Sequence, residues 1–269
     1  MSNLGWSDAS FNYQGCHVLV TGGTGGIGAA VARAYRRSGA SVTVTGTRMD
    51  ATSNPLFAAS FAANRREGDT KEVQFRYLQL DVRDPQQVQQ VATACPELDI
   101  VVNCAGVALS GDGSNEYGLE AFERALDINL SGAFRLAAAS RAALSRSEWP
   151  GGASMINIAS MTSFFGNEIV PGYGAAKAGL VQLVKTLAIA WAGEGVRVNA
   201  IAAGLTETAM TAAHVGNPKA LAPVLYRTPM RRVGRPDDMA GPILFLTSSL
   251  AGFVTGQTLV IDGGYSIVG

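Results

Sequence analysis

Tyr173 and Lys177 stand four residues apart in YGAAK, at the head of an apolar run that continues to Ala192. On a helix that spacing puts a phenol and an ammonium on one face. Ser160, thirteen residues before Tyr173, closes the run MINIAS, which reads as a strand. A phenol exchanges protons near neutrality only if its pKa falls from about 10 toward 7, which takes roughly 4 kcal/mol. One ammonium about 4 Å away, at an effective dielectric near 20, supplies about that much. The pair therefore suits general acid/base work. Taken singly each residue has an ordinary alternative: Ser160 a strand-end cap, Tyr173 a core aromatic, Lys177 a solvated helix position.

A second stretch could hold a charged ligand near that pair. VLVTGGTGGIG, residues 18–28, is a strand that stops in glycines and opens into the small-residue helix AAVARAYRR. Such a turn points backbone N–H groups outward at a helix N-terminus, which favours anions such as a pyrophosphate. Two registers overlap: Gly23, Gly25 and Gly28 fit G-x-G-x-x-G, while Gly22, Gly26 and Gly28 fit G-x-x-x-G-x-G. A structural turn is the plainer reading, yet five glycines in seven residues waste chain entropy unless something must come close.

Around these lie the elements that must position them. SVTVTG, residues 41–46, is β-branched enough for a buried parallel strand. Its end is where an NAD-type site places an acid for the ribose 2'-OH; here stand Gly46, Thr47 and Arg48, with no acid until Asp50. Residues 50–72 read as one polar, Ala-rich helix, and FRYLQLDV, residues 75–82, as the third strand. Asp81 at its end either accepts from an adenine amino group or caps the next helix, residues 85–95. LDIVVNCAG, residues 98–106, is a fourth strand ending in Asn103, Cys104, Ala105 and Gly106, a second place where backbone must approach something flat. Residues 118–144 show helical spacing, with Asn129 and Ser131 as polar positions inside a helix that disfavours them; Asn129 has the ordinary alternative of a satisfied core amide.

Residues 155–158 make a fifth strand, 173–192 a long helix and 196–204 a sixth strand. Residues 205–229 read as a mobile lid with short helices, followed by a helix over 239–247 and the strand in QTLVIDGG. Seven strands alternating with helices give an α/β fold, a Rossmann-type doubly wound parallel sheet in a single domain over residues 1–269, with 1–14 as an N-terminal extension.

Composition narrows the function classes. With 269 residues, 47% hydrophobic, one large core is expected. Lys plus Arg and Asp plus Glu both number 21, so no basic field invites nucleic acid, and a small molecule is the expected partner. Cys16, Cys95 and Cys104 show no C-x-x-C, and with only His17 and His214 no metal site is expected; reduced thiols suit a cytoplasmic protein. There is no G-x-S-x-G elbow of a serine hydrolase and no signal-peptide pattern in MSNLGWSDASFNYQG. The uncharged span 239–261 is broken by Gly241, Pro242, Gly252 and Gly256, so no membrane helix is expected there.

In order, TGGTGGIG, NCAG, Asn129, Ser160 with Tyr173 and Lys177, and the closing LVIDGG resemble the classical short-chain dehydrogenase/reductases over residues 15–264. The resemblance selects the Gly22, Gly26, Gly28 register and implies hydride transfer between a nicotinamide and a carbonyl/alcohol pair. It assigns Ser160 to hold the substrate oxygen, Tyr173 to act as acid/base, Lys177 to bind the nicotinamide ribose and lower the Tyr173 pKa, and Asn129 to position a water of the proton relay. It places the cofactor on Gly22, Thr24, Gly25, Gly26, Ile27 and Gly28, on Thr47 and Arg48, on Asp81 and Val82, on Asn103, Ala105 and Gly106, on Tyr173 and Lys177, and on Thr206 and Thr208. One motif departs: many relatives have Pro-Gly after the sixth strand, whereas Ala203-Gly204 here leaves that turn less rigid.

NADP(H) is expected over NAD(H), because Gly46 leaves nothing to repel a 2'-phosphate while Thr47 and Arg48 can bind one. Against this, Thr24 and Gly25 stand where many NADP-preferring relatives carry a basic residue. Phe164, Phe165, Val170, Leu205 and Met210 are expected to make an apolar pocket for a neutral ketone or secondary alcohol. A homotetramer through the helices 118–144 and 173–192 is implied by the family. The competing readings are a catalytically inactive nucleotide sensor, which would be expected to lack part of the Ser-Tyr-Lys set, and an NAD-dependent alcohol dehydrogenase. An epimerase or dehydratase would need a larger C-terminal region.

Overall fold

A computed structural model describes residues 10–50, 75–112 and 114–268; the helix expected over 50–72 and most of the N-terminal extension lie outside them. Seven parallel strands form one sheet in the order β3-β2-β1-β4-β5-β6-β7. They are β1 (His17–Thr21), β2 (Ser41–Gly46), β3 (Arg76–Gln79), β4 (Ile100–Asn103), β5 (Ala153–Ser160), β6 (Val196–Ala203) and β7 (Thr258–Ile261). The helices are α1 (Gly26–Arg37), α2 (Pro85–Ala94), α3 (Leu119–Leu126), α4 (Gly132–Leu144), α5 (Pro171–Trp191), α6 (Ala212–Val215), α7 (Pro218–Arg227) and α8 (Pro236–Thr247).

Strand alternation sorts the core onto two faces. Val18 and Val20 of β1, with Ile100, Val102, Ile156 and Ile201, meet Val31 and Tyr35 of α1 and Ile243 and Leu244 of α8. Leu19, with Val101, Met155 and Val198, meets Val88 of α2, Leu136 of α4 and Val184 and Trp191 of α5 on the other face. Tyr13, inside the expected extension, belongs to the first layer: it stacks on Trp149 at 5.1 Å, and its hydroxyl donates to the Leu244 carbonyl at 2.5 Å. Position 13 is therefore core.

The sheet order reverses at β1, whose neighbours are β2 and β4. A crevice opens outside the carboxyl ends of strands at such a switch point, and here the glycine turn after β1 faces the Cys104–Gly106 segment after β4. The span 239–261 is divided as expected, among α8, a turn at Ser249–Ala251 and β7. By length and composition Pro171–Glu194 is apolar enough to cross a membrane; in the fold, α5 lies along β5 and β6 in the core.

Two boundaries differ from expectation for physical reasons. The third strand ends at Gln79 rather than Val82 because Asp84, not Asp81, begins the next helix: its carboxylate accepts the Gln86 and Gln87 N–H groups, and Pro85 takes the first helical position. The stretch 118–144 is continuous but not uniform. Asp127–Ser131 forms a π turn between α3 and α4, with the Gly132 N–H reaching back to the Asp127 carbonyl.

Candidate active site

The glycines after β1 divide by what they touch. Gly22 and Gly26 have φ of +61° and +52°, the left-handed region that favours glycine. A Cβ on Gly28 would lie 2.3 Å from the Gly22 carbonyl oxygen, so this glycine is required by the turn's own packing. What faces outward is the start of α1. Its N-cap, Gly25, offers no side-chain cap and its first turn carries no acid, which leaves first-turn N–H groups for an anion. Gly22, Thr24, Gly25, Gly26, Ile27 and Gly28 all line a cleft of about 800 Å³ at the carboxyl ends of the strands. A second cavity of about 450 Å³, lined by His17, Arg36 and Glu97 among others, lies at the opposite ends of the strands, away from this chemistry.

At β2 the reason for glycine is steric. A Cβ on Gly46 would meet Thr24 Cγ2 at 2.8 Å and the Tyr77 hydroxyl oxygen at 3.2 Å. Thr47 lines the cleft; Arg48 is exposed and outside the lining, its carbonyl held by the Tyr77 hydroxyl at 2.5 Å. Asp81 and Val82 also line the cleft. Asp81 is gripped by Arg83, whose guanidinium donates to both carboxylate oxygens at 2.6–3.1 Å, and this holds the carboxyl below the usual range. Arg83, a cleft residue not anticipated from sequence, had no signal beyond being two positions from Asp81.

After β4, Ala105 and Gly106 reach the cleft but Asn103 does not. Asn103 is buried beneath it, accepting from the Thr21 hydroxyl at 2.8 Å and donating to Asn157 Oδ1 at 3.1 Å, so it ties β1, β4 and β5 together under the site. Asn129 is likewise no cleft residue. Its amide donates to the Val107 and Ala125 carbonyls at 2.9 Å and its oxygen accepts the Val107 N–H at 3.1 Å. Both amide protons are thus spent on backbone, and the side chain fixes the loop after β4.

The Ser160, Tyr173 and Lys177 side chains converge on the cleft. Ser160 caps the short turn Met161–Ser163, accepting the Thr162 N–H at 3.2 Å, and its hydroxyl also acts on the Tyr173 phenol, favouring ionisation. Ser163 joins β5 to α5 by donating to the Lys177 carbonyl at 2.9 Å. Lys177 is 4% exposed, not solvated, and donates from Nζ to the Ile158 carbonyl at 2.7 Å. Burial lowers its pKa to about 8, with Cys104 acting the other way. Its ammonium stands 5.5 Å from the Tyr173 ring centroid. The phenol is not drawn down as the sequence arithmetic expects: burial holds it above the ordinary value, opposed by the Ser160 hydroxyl and reinforced by the Glu116 charge. The structural reason is that Nζ is engaged by the Ile158 carbonyl, at 5.5 Å from the ring.

Glu116 was also not anticipated. It lies in the polar loop GDGSNEYG, where an acid looks like any solvated charge; yet it is 1% exposed, with its carboxylate on the Leu109 and Tyr173 N–H groups.

After β6 the turn without proline is held by hydrogen bonds. Thr206 Oγ1 donates to the Gly204 carbonyl at 3.0 Å and Gly234 N–H to Leu205 at 2.8 Å. Thr208 and Thr211 hydroxyls meet at 3.2 Å, and Thr208 packs by Gly26, bringing this segment onto the glycine turn. Thr206 and Thr208 line the cleft, as do Val170, Leu205 and Met210. Phe164 and Phe165 do not. The turn after Ser160 directs Phe164 to solvent, 49% exposed, and Phe165 against Tyr265 at 5.6 Å. Met161, Ile169, Val224 and Tyr265 supply apolar lining instead.

Residues 22–266 match the family model described as enoyl-(acyl carrier protein) reductase. The chain is 33% identical over 259 residues to a 2-dehydro-3-deoxy-D-gluconate 5-dehydrogenase of Pseudoalteromonas atlantica, covering 95% of this chain and 97% of that one. It is 36% identical over 250 residues to a 3alpha-hydroxysteroid dehydrogenase of Mediterraneibacter gnavus, covering 91% and 94%. Among solved structures, the Pseudomonas aeruginosa RhlG/NADP active-site complex superposes with a TM-score of 0.83 at 29% identity, covering 95% and 98%.

Proposed function

The chain belongs to the classical short-chain dehydrogenase/reductases and is an NAD(P)-dependent oxidoreductase of the alcohol/carbonyl class; from that premise we propose that it uses NADP(H) on a neutral, largely apolar ketone or secondary alcohol. The observation that carries the reading is one continuous cleft, running from the uncapped start of α1 to Ser160, Tyr173 and Lys177, which all line it. The residues fit a dinucleotide: first-turn N–H groups of α1 for the pyrophosphate, Thr47 and Arg48 for a 2'-phosphate, Asp81 and Val82 for the base, and Lys177 for the nicotinamide ribose. When bound, the nicotinamide supplies or accepts the hydride.

The protein's own part is proton handling and placement. Ser160 holds the substrate oxygen by its hydroxyl. Tyr173 gives that oxygen a proton in reduction and takes it in oxidation. Lys177, the nearest cation, stabilises the phenolate form, and Asn129 keeps the Val107 backbone in place; a water of the relay would have to take its bonds from groups other than the Asn129 amide protons.

Cofactor choice rests on Gly46, which leaves no carboxylate to oppose a phosphate, and on the NADP named in the RhlG complex. Substrate class rests on the lining. Its charged members are Asp81, Arg83, Arg124 and Lys177; Asp81 and Arg83 follow β3 in the cofactor half, and Lys177 is catalytic in this reading. Around Tyr173 the wall is Val170, Ile169, Leu205 and Met210, with Asn167 and His214 as polar points. Residues 205–229, with α6 and α7, serve as the lid over that wall. Exposed Phe134 on α4 and Ile189 on α5 support a homotetramer through those helices, which light scattering at micromolar concentration checks. Three free cysteines support a cytoplasmic setting.

The test is absorbance at the reduced-nicotinamide band with a panel of ketones and alcohols, run with each cofactor. Neutral apolar ketones with NADPH should give the highest kcat/KM. Preference for small carboxylated ketones would overturn the substrate class, preference for NADH the cofactor, and tight cofactor binding without turnover would favour a nucleotide sensor.

A further inference from the structure

We propose that Glu116 is a positioning residue that sets Tyr173 in register with the loop after β4; this rests on the reading of Tyr173 as the acid/base. Tyr173 is the third residue of α5, so its N–H is one of the first-turn donors that no helical carbonyl can satisfy. Val170, the N-cap, offers no side-chain cap. The acceptor comes instead from across the chain: Glu116 Oε2 takes the Tyr173 N–H at 2.9 Å, and Oε1 takes the Leu109 N–H at 2.9 Å.

One carboxylate thereby joins two pieces of the site. Leu109 ends the loop that begins at Gly106, and Asn129 holds the same loop at Val107. Tyr173 begins the helix that carries Lys177. Among the described residues no cation pairs with Glu116. A buried carboxylate is costly unless hydrogen-bonded, and here two N–H groups and the positive end of a 21-residue helix compensate it. A serine or asparagine at position 170 would cap α5 with less burial of charge, but it would not fasten the helix to the Gly106–Leu109 backbone.

The charge has a second consequence. The groups facing the phenol are the Ser160 hydroxyl, the Lys177 ammonium and the Glu116 carboxylate, with Cys104 acting on Lys177. Glu116 raises the phenol's pKa, while the Lys177 ammonium, of opposite charge, stands 5.5 Å from the ring centroid.

The test is alcohol oxidation across pH with Glu116→Gln and Glu116→Asp, alongside Tyr173→Phe. Glutamine accepts one N–H but presents an amide to the other and carries no charge. We expect kcat to fall about ten- to a hundredfold, as for an ångström-scale misplacement, with cofactor Kd within about twofold. The acid-side midpoint of the rate profile should move to lower pH, because the phenol loses a neighbouring negative charge. Glu116→Asp keeps the charge but spans less distance, so it should lose rate and keep the wild-type midpoint. A purely structural cap would lower Tm and leave the midpoint in place in both variants, which would overturn the proposal. So would wild-type kcat in Glu116→Gln. If Glu116→Gln fails to fold, Glu116→Asp decides: reduced kcat at wild-type Tm and cofactor Kd supports the proposal, and wild-type kcat, or a loss of kcat that only tracks a loss of Tm, overturns it. An active Tyr173→Phe would instead defeat the catalytic assignment on which the inference stands.

Discussion

Gly46 offers the sharpest test of cofactor choice. A Cβ there would lie 2.8 Å from Thr24 Cγ2, 3.3 Å from Thr24 Oγ1 and 3.2 Å from the Tyr77 hydroxyl oxygen. Carbon atoms pack best at about 3.5–4.0 Å, so Gly46→Asp alone must displace Thr24, which itself lines the cleft, and should weaken both cofactors. Thr24→Ala removes Cγ2 and Oγ1 and opens room for the carboxylate. In the double variant Gly46→Asp/Thr24→Ala, that carboxylate can accept from the 2'-OH of NADH, a charge-assisted bond of about 1.5–3 kcal/mol, or roughly ten- to 150-fold in affinity. Against NADPH it opposes the phosphate by about 3 kcal/mol per charge pair at ~5 Å and an effective dielectric near 20. Together these shift the NADH/NADPH preference by about a thousandfold or more. Fluorescence titration of each reduced cofactor measures both Kd values. A double variant that keeps the wild-type preference, or a single Gly46→Asp that binds both cofactors as wild type does, would refute the reasoning.

Tyr173→Phe should lower kcat by at least about a hundredfold, the usual scale of general acid/base catalysis, while Tm and cofactor Kd stay near wild type; a retained rate counts against the assignment. Arg48→Ala should weaken NADPH about ten- to a hundredfold, the worth of one charge-assisted contact, with NADH unchanged; equal losses for both would place Arg48 outside the phosphate site. Lys177 titrates at about 8 in the fold, against about 10.4 in an unfolded chain. Between those values the unfolded state binds more protons, so its contribution to stability rises with pH from 8 toward 10.4, by up to about 3 kcal/mol. Urea unfolding at several pH values should show that rise in wild type and its loss in Lys177→Met; parallel curves would mean the ammonium is not held below its ordinary pKa.

The fold was legible because its signals are local. Apolar β-branched runs alternate with helical spacing, and Pro85 opens the helix expected from residue 85 by chemistry that needs only its neighbours. Ser160, Tyr173 and Lys177 were legible for the same reason: a strand end and an i, i+4 pair on a helix carry their geometry in their spacing. What sequence left open was decided by contacts distant in the chain. Gly46 is excluded from bearing a carboxylate by Thr24, 22 positions away, and Asn103 is turned under the cleft by Thr21 and Asn157. Phe165 leaves the pocket for Tyr265, and Tyr13 enters the core against Trp149. Glu116 shows the limit most clearly: an acid in a polar loop has no pattern that marks it, and only packing against α5, 57 positions on, turns it from a solvated charge into a buried acceptor.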